Sequence, residues 1–200
     1  MKSHLAAPLF KLTTLSISLS LISTVAISSS TNLKDGTKEI LEKEITATPN
    51  TYGVYSEGVS ALSKVDLLIK NTIINSDKSS VFIDKRIIAN GNLNGDVNII
   101  TKAVTMNINA ADGDGIYVAP NGTGNVNITT DKDTIINVRG QGNNSFGIAV
   151  QADKNMTGNI DVKNSAQIST KGTKGNNNSG LFLQSGGIIR GNVFYENDGN

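Results

Sequence analysis

From residue 51 onward the chain alternates apolar and polar positions in runs of three to five residues. Ile116 and Val118 point one way and Tyr117 the other; Val126 and Ile128 face one side with Asn125 and Asn127 opposite; Ile160 and Val162 repeat this with Asp161 outward. Period-two alternation of β-branched side chains marks strands with one buried face. Between the runs lie clusters of Gly, Asn and Asp at residues 112–115, 140–145 and 172–179. These residue types tolerate left-handed backbone and make corners. No stretch beyond residue 50 combines helical periodicity with a cap.

The alternating runs recur. Gly115-Ile116-Tyr117-Val118 returns as Gly147-Ile148-Ala149-Val150 and as Gly180-Leu181-Phe182-Leu183. A second motif follows each copy: Gly124-Asn125-Val126-Asn127-Ile128, Gly158-Asn159-Ile160-Asp161-Val162, then Gly191-Asn192-Val193-Phe194-Tyr195. Upstream, residues 80–83 and 95–99 fit the same pair of positions, and Tyr52-Gly53-Val54-Tyr55 with Lys64-Val65-Asp66-Leu67 is a more worn copy. A third apolar segment closes most copies, at residues 104–108, 135–138 and 166–168. A period of about 33 residues built from three short strands is the signature of a repeat architecture.

Three short strands cannot bury a core alone. If each repeat is one rung of a coil, equivalent strands stack in parallel and the aliphatic residues form inward ladders. The expected fold is therefore all-β: a right-handed parallel β-helix, or β-solenoid, of about 33-residue rungs, handed as parallel crossovers usually are. Excess residues form loops at the Gly/Asn corners. An antiparallel sandwich also supplies many short strands, though without self-similar repeats. A trimeric fibre shares the repeat and buries a seam between chains.

Composition fits the narrow interior of a rung. The 200 residues include 25 Asn and 20 Gly, with 38% hydrophobic but only 4% aromatic residues, no Trp and no Cys. Ile and Val fit where Trp does not, and Asn amides can bond along the stack at the turns.

Residues 1 to 28 read as a secretory signal peptide. Lys2 and Lys11 precede an apolar stretch from Leu12 to Ile27, and small residues follow. Seven Ser and Thr residues interrupt that stretch, which argues against a membrane anchor. Removing it takes away Lys2, Lys11 and the single His, His4, leaving 16 basic against 17 acidic residues. A mature chain without His or Cys excludes thiolate and imidazole chemistry and His-ligated zinc. Its balanced charge gives no pull toward nucleic acid. Residues 29–50 are expected to be an N-terminal cap or linker, with the charged run Lys38 to Ile45 as a short helix or an irregular first strand. Residues 51–200 are the β-helix repeats, expected to continue beyond the chain.

The outward positions supply the candidate chemistry. Asp96, Asn125, Asn159 and Asn192 share one slot; Asn98, Asn127, Asp161 and Phe194 share another. Stacked Asn and Asp could bind sugar hydroxyls, but no paired carboxylates recur, and a solvated face with an Asn ladder is the simpler reading. Asp112 and Asp114 lack the nonapeptide pattern of calcium β-rolls and read as a turn. Arg139 and Arg190 are isolated surface charges. Tyr117 and Phe182 fall in the same outward slot two rungs apart with Ala149 between, a candidate surface-contact patch; packing under a corner loop is the equal alternative. No catalytic residue, metal site or cofactor is assigned.

The signal segment, the Cys-free mature chain and the Gly-Ile-x-Val and Gly-Asn-Val-x-Ile repeats together resemble the N-terminal passenger region of a bacterial autotransporter (type V secretion) of the adhesin kind. The resemblance spans residues 1 to 200 and rests on composition and rung pattern. It implies a passenger that crosses the outer membrane through a translocator barrel in the same polypeptide and folds outside as a β-helical rod for adhesion or interaction. The chain shows no run of amphipathic barrel strands with aromatic girdles, so a barrel is expected beyond residue 200 or has been lost. It also lacks a Gly-Asp-Ser-Gly protease signature. The implied location is the bacterial surface or exterior, with an extracellular protein or glycan as ligand and no nucleic acid. The other function class is a β-helix carbohydrate-active enzyme, a polysaccharide lyase or hydrolase, which a cluster of acids on one face would favour.

Overall fold

The computed structural model describes residues 27–28, 30–33, 37–41, 44–47, 49–56, 64–84, 95–120, 122–139, 142–152, 155–170 and 178–199. The export segment expected over residues 1 to 28 lies outside these, apart from Ile27–Ser28. Among the described residues, eighteen strands and no helix make up the fold. The chain begins with β1 (Ile27–Ser28), β2 (Thr31–Asn32), β3 (Thr37–Ile40) and β4 (Glu44–Thr46). It continues with β5 (Val54–Ser56), β6 (Val65–Lys70), β7 (Ile73–Ser76), β8 (Val81–Asp84), β9 (Val97–Lys102) and β10 (Thr105–Ile108). Next come β11 (Ile116–Ala119), β12 (Val126–Thr130), β13 (Ile135–Val138) and β14 (Phe146–Ala152). The last are β15 (Ile160–Asn164), β16 (Gln167–Ser169), β17 (Ser179–Ser185) and β18 (Val193–Asn197).

Every third strand pairs with the next in parallel, giving three six-stranded sheets. Sheet A holds β1, β4, β7, β10, β13 and β16; sheet B holds β2, β5, β8, β11, β14 and β17; sheet C holds β3, β6, β9, β12, β15 and β18. The chain is thus a parallel β-solenoid, as the repeat requires. Its registers match the motif alignment: Val81, Ile116, Ile148 and Leu181 stack in sheet B, and Val97, Val126, Ile160 and Val193 in sheet C. The charged run at Lys38–Ile40 belongs to a strand, paired with β6, so the strand alternative holds there.

The core is one continuous column. Ile45, Ile74, Met106 and Ile136 stack inward in sheet A and face the ladders of the other two sheets. Most of the motif glycines are explained by close backbone approach. A Cβ on Gly158 would run into the carbonyl oxygen of Gly124, and one on Gly147 into that of Gly180. One inward slot changes character along the rod. Ile69 is followed by Thr101, Thr130, Asn164 and Asn197. Buried polar groups need partners, and these find one another: Thr130 Oγ1 donates to Asn164 Oδ1 at 2.7 Å, and Asn164 Nδ2 to Asn197 Oδ1 at 2.7 Å.

Candidate functional site

Sheets A and C carry amide ladders on their flanks. In sheet C, Asn98 Nδ2 donates to Asp66 Oδ1 at 2.7 Å and Asn127 Nδ2 to Asn98 Oδ1 at 2.6 Å. In sheet A the order is Glu44, Asn75, Asn107 and Asn137, each amide donating one rung back at 2.9, 2.9 and 3.1 Å. At the corner before sheet C, the backbone N–H groups of Asn125, Asn159 and Asn192 donate to Asp96 Oδ1, Asn125 Oδ1 and Asn159 Oδ1. The slot of Asp96, Asn125, Asn159 and Asn192 is therefore a hydrogen-bonded stack, and the slot of Asn98 is one as far as Asn127.

Each ladder starts on a carboxylate: Asp66, Glu44 or Asp96. A carboxylate accepts only, so it fits the end that receives donors and gives none. Burial alone would push the Asp66 carboxyl up. The Asn98 amide and the Lys64 ammonium, 3.1 Å from Oδ2, outweigh this and hold it below the ordinary value. Asp161 follows Asn127 in register and cannot donate to it, and its Oδ1 is shielded from solvent without a partner.

Sheet B differs. Its outer slot holds Tyr55, Phe82, Tyr117, Ala149 and Phe182. The rings stack along the rod: Tyr52 on Phe82 at 4.0 Å and 12°, Phe82 on Tyr117 at 5.1 Å and 8°, and Phe146 on Phe182 at 4.0 Å and 5°. Tyr117 and Phe182, the expected contact pair, belong to one apolar cluster with Ala119, Phe146 and Ala149. Tyr117 is only 9% exposed, its hydroxyl donating to Gln151 Oε1 at 3.2 Å, while Phe182 is half-buried. Alignment of the outward slot alone misses Tyr52 and Phe146. They come from the position just before each motif glycine, where Tyr52, Ser79, Asp114, Phe146 and Ser179 are equivalent. Reading that column would have found both rings and the acid described next.

Asp114 is 7% exposed and joins three rungs. Its Oδ1 accepts the Phe146 N–H at 2.9 Å, its Oδ2 faces Ser79 Oγ at 3.5 Å, and its own N–H donates to Ser79 Oγ at 3.1 Å. Burial pushes its carboxyl up to about 7; the Phe146 and Ser79 hydrogen bonds oppose this, and the nearby Asp112 adds to it. Asp112 is exposed, and its Oδ1 accepts the backbone N–H groups of Asn143 and Asn144. Both acids of the Asp-Gly-Asp-Gly turn thus reach the next rung.

These groups surround a cleft of about 370 Å³ on the sheet B flank. Tyr52, Phe82 and Tyr117 line it together with Asp77, Lys78, Asp112 and Asp114. The Lys78 ammonium lies 5.1 Å from the centre of the Tyr52 ring. No protein-family model, curated protein or solved structure matches the chain.

Proposed function

We propose that the chain is the exported, surface-displayed passenger of an autotransporter-like protein, a β-helical rod that acts by adhesion or interaction along its flanks. The observation that carries the reading is the unbroken column of stacked rungs. Three parallel sheets share one core, and sheets A and C carry hydrogen-bonded amide ladders on their outer flanks. A rigid rod can present many weak contacts at once, and their combined effect exceeds that of any one. Export rests on the signal-like segment, and the autotransporter assignment on the Cys-free repeat pattern.

Fractionation of the source bacterium tests this. The expected result is processed protein at the outer surface, sensitive to protease added to intact cells. Protein found wholly in the cytoplasm with its leader uncut would overturn the reading.

A second reading, a carbohydrate-active enzyme, draws support from Asp114 and Asp112 beside the aromatic rings. Against it, Asp114 is nearly enclosed and both its oxygens face groups of neighbouring rungs. Reducing-end release from a panel of polysaccharides, abolished by Asp114→Asn, would favour the enzyme.

A further inference from the structure

Taking the chain as an interaction rod, we propose that the cleft between Tyr52 and Asp112 is a docking site for a basic side chain, the ammonium or guanidinium of a partner polypeptide. The argument is one of charge complementarity. Among the described residues, Asp77, Asp112 and Asp114 line the cleft against a single cation, Lys78. Among the described residues, no salt bridge engages any of the three acids. Asp77 and Asp112 are exposed at the rim, while Asp114 lies at the floor.

The rings narrow the choice of guest. Phe82 is stacked between Tyr52 and Tyr117, so its two faces are already used. A flat sugar therefore finds no open aromatic platform there. The remaining face of Tyr52 carries the Lys78 ammonium, at a distance where a cation is attracted to the ring. The cleft already accommodates an ammonium of its own chain, over the Tyr52 ring. A long basic side chain from outside would take the same place, with Lys78 swinging out into water.

The charge on the floor changes with pH. Asp114 has Asp112 on its own turn and Asp77, Lys78 and Ser79 on the turn below, while residues 142–145 on the turn above carry no charge. With its carboxyl near 7, Asp114 is ionised at about pH 8 and largely neutral at about pH 5.5. Capture of a cation is accordingly tighter at the higher pH.

The test is an NMR titration of the purified full chain with an N-acetylated tri-lysine amide at low ionic strength, following the backbone amides of residues 77–79 and 112–114. Saturable shifts are expected there, with affinity weakened about threefold or more from pH 8 to pH 5.5. Asp77→Asn combined with Asp112→Asn should cost about fivefold, and Lys78→Met, which removes the resident cation, should gain about twofold. Both acids are exposed and Asn keeps the Oδ1 acceptor of residue 112, so the double variant should fold, as circular dichroism would verify. Absence of shifts with tri-lysine, or equal binding by the double variant, would overturn the site. So would matching shifts with tri-glutamate or a neutral cello-oligosaccharide; the latter would make it a glycan site. Purified protein is used throughout, so a negative titration leaves surface display standing, and mislocalised protein in the fractionation leaves the titration standing.

Discussion

Two neighbouring rungs hold equivalent residues in very different surroundings. Ile148, Val150, Ile160 and Val162 are 0–1% exposed, while one rung on Leu183 and Val193 are 36% and 44% exposed. The strands are alike, the register is continuous, and the side chains are of similar size. What differs is the neighbour: among the described residues, nothing stacks on β17 or β18 from the far side. A rung thus gains burial from the rung that follows it as much as from its own sequence, which is the nearest-neighbour energetics of repeat proteins.

The comparison can be broken in graded ways. The largest effect expected is at Asp114, the interior carboxylate. Its folded value of about 7 stands above the ordinary 3.8, so the native state holds its proton more tightly than the unfolded chain. Its contribution favours folding most below about pH 4 and is lost as pH rises to 7. At about 1.4 kcal/mol per unit this amounts to at most ~4 kcal/mol. Asp114→Asn keeps an acceptor for Phe146 N–H and should raise stability at pH 8 and flatten the pH profile in urea melts.

Next comes the core. Ile128→Ala, at a fully buried position, should cost about 3 kcal/mol, and Leu183→Ala on β17, which no described strand covers on its far side, under about 1. Equal losses in chemical denaturation would mean that stacking does not set the difference. A glycine pair tests the same idea through the backbone. Gly147→Ala should cost about 2 kcal/mol, because its new methyl would meet Gly180 O and the Ile168 side chain. Gly180→Ala meets only Ile168 Cγ2, at 3.9 Å, and should be close to neutral. The smallest effect is a gain. Ser56 occupies the inward slot of Ile83, and its buried hydroxyl has no partner. Ser56→Val should raise stability by about 1 kcal/mol, seen as a higher thermal midpoint.

The rung pairing was legible because Gly-Ile-x-Val and Gly-Asn-Val-x-Ile recur once per rung, and at most of their glycines, such as Gly124, Gly147 and Gly158, the backbone of the neighbouring rung leaves no room for a Cβ. The first rung was less so. Lys38-Glu39-Ile40-Leu41 has the composition of a helix, and only pairing with β6 makes it a strand. The cleft was hidden for a different reason. Asp-Gly-Asp-Gly is correctly a turn, but burial of Asp114 depends on Ser79 and Phe146, 35 and 32 residues away. Likewise Ala149 breaks the aromatic slot on paper, while Phe146, three positions earlier, brings a ring into the same apolar cluster.

The carboxylate feet of the outer ladders have a consequence for how the coil finds its alignment. Each ladder has a grammar: an acid can open the line, amides continue it, and another acid ends it, as Asp161 does after Asn127. Slide the chain by one rung and Asp66, Glu44 or Asp96 would be asked to donate a proton it does not carry. Three ladders, on sheets A and C and at the corner before C, object to the same error at once, so the polar surface proofreads a register that the interchangeable Ile and Val of the interior would let pass.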